Sequence, residues 1–219
     1  MPPVVIRVWD IPVRLFHWLL VLLVIALFVT GKLGGNWLEW HQRAGVGVIG
    51  LVLFRVIWGF VGSTHARFAS FLRGPSAVFA YVKNFRQRPL PHDIGHNPMG
   101  ALSVVAMLLV LLAQAVLGLF ANDDIMLEGP YARLVSKETS DFLTKLHKLN
   151  ADVIIGLVCL HLAAIAFAYF YKKENLVKPM FTGEKASDSD AIPSIAPPIW
   201  RAWLVAAGVA LALYFVLKR

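Results

Sequence analysis

The stretch that decides the fold is KLHKLNADVIIGLVCLHLAAIAF, residues 145–167, a mostly apolar run that carries His147 and His161. A run of this length and hydrophobicity predicts an α-helix that crosses a membrane. The two histidines are fourteen positions apart, and at about 100° per residue both imidazoles lie near one helix face. Along the axis they are ~21 Å apart. The stretch therefore predicts a membrane helix with two inward imidazoles at different depths.

Histidine inside a membrane helix points to function, because placing it there costs free energy. Imidazole is a common axial ligand of haem iron, so such a helix suits two flat haems, one above the other. The alternative is a pair of unrelated buried histidines with no ligand. The partner histidines found elsewhere in the chain favour haem.

The 219-residue chain is 58% hydrophobic, with a mean hydropathy of +0.66, which is too apolar for a soluble domain. Five long apolar runs account for this, and the first lacks a signal-peptide cleavage site. We predict an all-α integral membrane protein, a four-helix transmembrane bundle binding haem plus one additional C-terminal transmembrane helix. The predicted domains are the bundle at 1–180, a linker at 181–199 and the extra helix at 200–219. The five runs are Val13–Thr30, Ala44–Gly62, Pro98–Ala121, Leu149–Tyr171 and Trp200–Leu217.

Cysteine usage restricts the kind of haem. Cys159 is the single cysteine, so no internal disulfide can form. The sequence contains no CxxCH motif for covalent haem and no cysteine cluster for an iron–sulfur centre. Any haem is therefore expected to be non-covalent and b-type.

The net charge of +8 follows the positive-inside rule of membrane proteins and is not a sign of nucleic-acid binding. Eleven basic residues lie in the N-terminal tail and in the second and fourth connections, against six on the opposite side. The third connection, 122–144, is acidic on balance. We expect a cytoplasmic N-terminus and a C-terminus on the far side. The eleven are Arg7, Arg14, Arg67, Arg73, Lys83, Arg86, Arg88, Lys172, Lys173, Lys178 and Lys185.

Four histidines form two pairs once the alternating direction of the spans is applied. His41 and His147 each open a span that runs inward, so both lie near the outer face. His17 comes early in an outward span and His161 lies deep in an inward one, so both belong to the inner half. The sequence predicts metal ligation by His41 with His147 and by His17 with His161.

Arg55 is the unusual residue of the second span, because a charge at that depth needs a partner. It follows His41 by fourteen positions, so the two share a helix face. We expect Arg55 to bind a haem propionate, since a guanidinium binds a carboxylate bidentately. The alternative is an arginine that snorkels to the inner surface.

The connection after the second span carries three further histidines, His65, His92 and His96. His92 and His96 have i,i+4 spacing, but Pro91 and Gly95 argue against a helical metal pair. We interpret all three as solvated or hydrogen-bonded loop histidines. In the same connection, aromatic and aliphatic residues alternate with basic ones, which predicts a short helix in the membrane interface. Those residues are Phe79, Val82, Phe85, Lys83, Arg86 and Arg88.

Five stretches resemble the bacterial four-helix di-haem cytochromes b, the cytochrome b561 family that includes the b-type subunit of nickel–iron hydrogenases. The resemblance extends from residue 8 to about residue 180. In that family, histidines matching His17, His41, His147 and His161 are the haem ligands, which agrees with the pairing above. The stretches are VWDIPVRLFHW (8–18), HQRAG (41–45), FRVIWGFVGSTHARF (54–68), GHNPMGA (95–101) and KLHKLNADVIIGLVCLH (145–161).

The resemblance implies transmembrane electron transfer through two bis-histidine b haems, between membrane quinone and a redox partner. It also implies the bacterial inner membrane, with a periplasmic cytochrome or a redox enzyme subunit as partner. The acidic third connection suits docking of that partner, and the basic inner surface suits anionic lipid and quinone exchange at the inner haem. Two alternatives stay open. One is a membrane anchor and electron-relay subunit of a hydrogenase or dehydrogenase, and the other is a non-redox transporter with a histidine proton relay.

Overall fold

Eight α-helices and two short strands make up the described part of the computed structural model, residues 4–84, 94–125, 127–187 and 194–218. Several residues named above lie outside these ranges, namely Phe85, Arg86, Arg88, Pro91 and His92. Short 3-10 turns lie at Thr64–Ala66 and Ala132–Leu134. The elements are β1 (Val4–Arg7), α1 (Ile11–Leu33), α2 (Trp37–Val61), α3 (Phe68–Phe71), α4 (Pro75–Lys83), α5 (Pro98–Leu119), α6 (Lys137–Phe170), α7 (Val177–Thr182), β2 (Glu184–Ser187) and α8 (Trp200–Leu217).

The five predicted spans are confirmed as the long helices α1, α2, α5, α6 and α8. Each is long and apolar enough to cross a membrane by length and composition. Large apolar side chains on them remain exposed, among them Leu22, Ile25 and Val29 of α1, which suits contact with lipid. At 34 residues α6 is ~51 Å long, so it exceeds the ~30 Å hydrocarbon core and begins before the predicted apolar run.

Side-chain and proline signals set several helix starts. Asp10 precedes α1, and its Oδ1 accepts a hydrogen bond of 2.8 Å from the Val13 amide. Pro75 stands at the first position of α4, after Gly74. Asn97 caps α5, because its Oδ1 accepts from the Gly100 amide at 2.7 Å.

The first of two compact units contains the small sheet. β1 and β2 pair antiparallel, with Val4 opposite Ser187 and Arg7 opposite Glu184. β2 lies inside the segment that the sequence indicates as a linker, and neither strand was predicted. A four-residue strand carries almost no periodic signal, so long-range pairing decides this element. The segments of this unit are Met1–Leu15, Arg55–Ala106 and Val158–Leu204.

Gly183 joins β2 to the segment that follows β1. Its carbonyl oxygen accepts hydrogen bonds from the Val8 amide at 2.8 Å and the Trp9 amide at 3.2 Å. Its φ is +83°, and a Cβ would lie 2.7 Å from the Trp9 carbonyl oxygen. Only glycine fits this close approach without strain.

The second unit contains close helix contacts at two glycines of α2. A Cβ on Gly47 would lie 3.1 Å from a Leu23 methyl carbon on α1, and one on Gly50 would lie 3.4 Å from a Leu213 methyl carbon on α8. These glycines therefore serve helix contact. The segments of this unit are Phe16–Phe54, Met107–Leu157 and Val205–Arg219.

Candidate functional site

His41 of α2 and His147 of α6 face each other in the second unit. Their ring centres are 6.1 Å apart, and the ring planes are inclined by 75°. Both rings are half-buried. The structure thus brings together two histidines that are far apart in sequence and that the sequence predicts as partners.

The His41 ring is held by a backbone carbonyl of α1. Its Nδ1 lies 2.9 Å from the Leu27 carbonyl oxygen, and since a carbonyl only accepts, Nδ1 carries the proton. The ring also packs on Gly31, where a Cβ would lie 3.1 Å from both Cε1 and Nδ1. In the neutral ring, this leaves the lone pair on Nε2.

The His147 ring is held in the same way by α5. Its Nδ1 lies 3.0 Å from the Gln114 carbonyl oxygen, and a Cβ on Gly118 would lie 3.0 Å from its Cε1. In both cases the carbonyl belongs to the residue four positions before the glycine. The structure therefore contains the same arrangement of histidine, glycine and carbonyl twice, and Gly118 was not predicted from sequence.

The separation of the two rings fits one metal ion between them. An imidazole nitrogen binds a metal at about 2.0–2.1 Å and lies roughly 1.1 Å from its ring centre, so two rings on opposite sides have centres about 6.3 Å apart. The observed 6.1 Å agrees with this value. Carbonyls that fix Nδ1–H of a ligating histidine are the usual outer shell of such sites. His41 and His147 therefore fit as the two axial ligands of a haem.

Gln114 supplies a side-chain contact to this site. Its Nε2 lies 3.2 Å from Nε2 of His147, so its amide N–H and a metal would compete for the same lone pair. Its Oε1 accepts a 2.8 Å hydrogen bond from Asn150, which also donates to the Val110 carbonyl at 3.0 Å. The sequence marks Gln114 as the notable polar residue of its span, and the structure places it at the site.

The second predicted pair is divided between the two units. His17 lies in the second unit, with its ring centre 4.9 Å from that of Trp18. His161 lies in the first unit and is half-buried. Ligation by His17 and His161 therefore stays a prediction.

Arg55 is deeply buried in the first unit, with 3% of its surface exposed. Its Cζ is 5.2 Å from the centre of the Phe68 ring, and its Nη1 has no hydrogen-bond partner among the described residues. The nearby Asp10 uses Oδ1 for the Val13 amide and Oδ2 for Trp58 Nε1 at 2.9 Å. This burial is unlike that of a snorkelling arginine, and it leaves Nη1 available for a carboxylate.

His96 differs from the predicted solvated or hydrogen-bonded loop histidine. Its ring centre lies 4.7 Å from that of Trp9 and 4.6 Å from that of Phe71. Its Nδ1 is buried without a hydrogen-bond partner among the residues that the structure covers. The prediction was wrong for His96, because the loop places its ring against Trp9 and Phe71, which are distant from it in sequence.

The acidic connection after α5 is partly neutralised by its own basic residues. Lys137 forms ion pairs with both Asp124 and Asp141. Glu128 pairs with Arg133 at 2.8 Å. The surface available to a basic partner is therefore less negative than the sequence alone indicates.

Comparison with known proteins identifies the family. The profile of the prokaryotic cytochrome b561 family matches residues 8–183. The chain belongs to this family. Like other cytochromes b, this cytochrome b561-type protein holds b-type haem, and its five apolar helices make it a multi-pass membrane protein that transfers electrons across the membrane.

Three relatives carry a more specific name, probable Ni/Fe-hydrogenase B-type cytochrome subunit. The one from Rhizobium leguminosarum bv. viciae is 24% identical, over 82% of this chain and 88% of the relative. The one from Azotobacter chroococcum mcd 1 is 25% identical, over 84% and 90%. The hydrogenase 1 subunit of Escherichia coli (strain K12) is 27% identical, over 51% and 57%. No solved structure matches the chain.

Proposed function

We propose that this cytochrome b561-type protein relays electrons through two bis-histidine b haems, between a membrane-bound hydrogenase or related oxidoreductase and membrane quinone. The observation that carries the proposal is the 6.1 Å separation of the His41 and His147 rings. Each ring is fixed through Nδ1, so each Nε2 lone pair is free of a proton. When bound, haem supplies an iron that takes up and gives up one electron.

Ligation of a haem by two histidines of the chain suits electron transfer better than reaction with oxygen. A haem held by both His41 and His147 would have no iron position left for oxygen. The carbonyls of Leu27 and Gln114 fix both rings, so little rearrangement accompanies a change of charge. The chain thereby acts as an electron carrier.

The second haem of the proposal is assigned to His17 and His161. His161 lies on the same helix as His147, fourteen residues on, which corresponds to ~21 Å along α6. Arg55 supports the assignment, because its buried Nη1 lacks a partner among the described residues and suits a propionate.

Orientation in the membrane is proposed from charge. The N-terminal tail and the connections after α2 and α6 hold most of the basic residues outside the helices. This distribution supports the bacterial inner membrane, with the N-terminus in the cytoplasm and the C-terminus in the periplasm. The His41–His147 pair then lies on the periplasmic side.

A hydrogenase is the partner that the named relatives support. If this chain serves one, the protein purified gently from native membranes should keep hydrogenase activity, and hydrogen gas should reduce its haems. Haems that hydrogen leaves oxidised in native membranes, while dithionite reduces them, would contradict this partner.

Quinone is proposed to exchange near His161. The first unit has an open apolar groove of about 290 Å³, and Leu162, the residue next to His161, is part of its lining. Ile165, one helical turn from His161, lines the groove together with Tyr169 and Val177. Its size and apolar lining suit part of a quinone ring and tail.

Haem stoichiometry tests the central proposal. A pyridine haemochrome assay should give two haems per chain. His41→Ala and His147→Ala should each remove the same haem, and His17→Ala and His161→Ala the other, as judged by low-temperature spectra. One haem per chain, or a shared loss in His41→Ala and His161→Ala, would reject the pairing. A purified protein with no haem absorbance would favour the non-redox transporter.

A further inference from the structure

His96 lies just before α5, with its ring between two aromatic side chains. Trp9 and Phe71 have ring centres within 4.7 Å of its own. Its Nδ1 is buried without a hydrogen-bond partner among the described residues. Leaving such an atom unpaired is unfavourable, so the arrangement indicates a partner that the described polypeptide does not supply.

Arg55, in the same unit as His96, also has a buried nitrogen with no hydrogen-bond partner among the described residues. Its Nη1 is buried and unpaired within the described ranges, while both oxygens of Asp10 are engaged by Val13 and Trp58. The Arg55 side chain also lies over Phe68, whose ring centre is 5.7 Å from that of Phe71. Phe71 in turn contacts His96, so the two unpaired nitrogens border one group of aromatic rings.

The charges near His96 indicate which of its forms is present. Burial lowers the pKa of His96 to about 3, and the nearby Arg55, His65 and His161 act in the same direction. The ring is therefore neutral at physiological pH and carries one N–H. A neutral imidazole beside a buried guanidinium can share a carboxylate with it, as donors of two separate hydrogen bonds.

We propose that Nδ1–H of His96 and the guanidinium of Arg55 together bind one propionate of the haem ligated by His161. The proposal rests on the proposed function, because it requires a haem at that histidine. Trp9 and Phe71 hold the imidazole plane, and Arg55 supplies the positive charge. His96 is thus a positioning residue for the cofactor and not an iron ligand.

The proposal predicts a selective effect on one haem. Two hydrogen bonds disperse the propionate charge, so losing one makes the iron more electron-rich and harder to reduce. His96→Phe keeps an aromatic ring between Trp9 and Phe71 but removes the N–H donor. Its midpoint potential should fall for one haem only, and by less than in Arg55→Leu, which loses a full charge.

The experiment combines potentiometric titration with resonance Raman spectra of the purified holoprotein. In His96→Phe, the propionate bending band of one haem should shift, which a purely structural role would not cause. His96→Gln keeps an N–H donor and should remain close to wild type. His96→Leu is a second apolar variant in case the larger ring reduces the yield. Arg73→Leu, at an exposed basic position, is the matched control and should change neither haem.

Several outcomes separate this proposal from others. Two haems with unchanged potentials and propionate bands in both apolar variants would overturn it while leaving the relay function intact. An equal shift of both haems would also overturn it. Asp93 lies outside the described residues, and if Asp93→Asn reproduces the His96→Phe shift, the pocket serves a protein carboxylate and the proposal fails. Absence of haem from the wild-type protein would refute the proposed function itself.

Discussion

Gly31 and Gly118 determine how closely each histidine ring approaches the helix behind it. A Cβ at either position would meet an imidazole carbon at 3.0–3.1 Å, which is shorter than a normal contact. Gly31→Ala and Gly118→Ala should therefore displace the rings from the Leu27 and Gln114 carbonyls. We expect haem content to fall from the proposed two per chain towards one, measured by pyridine haemochrome.

The same helices provide matched controls for these glycines. A Cβ on Gly45 of α2 or Gly156 of α6 would meet no atom within 4 Å. Gly45→Ala and Gly156→Ala should keep full haem content, and as helix-interior replacements they should slightly favour folding. Equal haem loss in all four variants would mean that the ring contacts are not responsible.

Arg55 is expected to raise the potential of one haem. Arg55→Leu removes a buried positive charge, which disfavours the electron-richer reduced state, so the potential of the haem that we propose at His161 should fall. Arg73→Leu should leave both potentials unchanged, because that exposed side chain is screened by water. Redox titration that finds both haems unaltered in Arg55→Leu would argue for a purely structural arginine.

The meeting of His41 and His147 was predictable, because helix periodicity and span direction place both imidazoles at one depth. Their anchors were not, since Leu27 and Gln114 act through backbone carbonyls that any residue possesses. For Gly118, the sequence offers only a weak signal, namely its position four residues after Gln114. His96 was misjudged because its neighbours Trp9 and Phe71 come from segments far away in sequence.

The start of α1 is stabilised by the carboxylate of Asp10, which accepts two hydrogen bonds. Asp10 accepts from the Val13 amide and from the Trp58 indole, and both Asp10 and Trp58 are buried. Asp10→Ala loses the helix cap, worth about 0.5–2 kcal/mol, and the hydrogen bond from the Trp58 indole, worth about 0.5–1.5 kcal/mol. The melting temperature in detergent should fall clearly.

A matched variant checks this prediction. Asp152 is exposed on α6, so Asp152→Ala should change stability by no more than about 0.5 kcal/mol. Similar melting temperatures for Asp10→Ala and Asp152→Ala would show that the two hydrogen bonds contribute little.

Elements with strong periodicity or capping signals were predicted well. α8 begins and ends at the predicted residues, because Pro197 and Pro198 precede a clean apolar run. α6 begins earlier than its apolar run, since its polar first turns stay helical through contacts such as the 3.1 Å bond from the Asn122 amide to Thr144. β1 and β2 are stabilised by pairing with each other, and no local sequence pattern predicts either strand.

For the whole molecule, the acidic connection is the surface where charge can steer a soluble partner. Neutralising Asp123, Asp124, Glu128 and Asp141 together should slow reduction by a basic soluble cytochrome and flatten its salt dependence. The effect should be modest, because Lys137 and Arg133 already form ion pairs with three of these carboxylates. Stopped-flow rates at several ionic strengths provide the measurement.

A variant that makes the connection more negative should have the opposite effect on the rate. Lys137→Gln removes the cation between Asp124 and Asp141, so it should speed the same reaction at low salt. If both variants react as wild type does at every salt concentration, this connection does not guide the partner.

The β1–β2 ladder has a consequence for biosynthesis. The partner of Val4–Arg7, Glu184–Ser187, is translated about 180 residues after it. At roughly 5–20 residues per second, the wait is on the order of 10–40 s. During that time four of the five spanning helices are made while the first strand has no partner. A nascent chain stalled before Glu184 would keep this N-terminal strand open to chaperones and proteases, and completing the ladder would mark the end of that exposure.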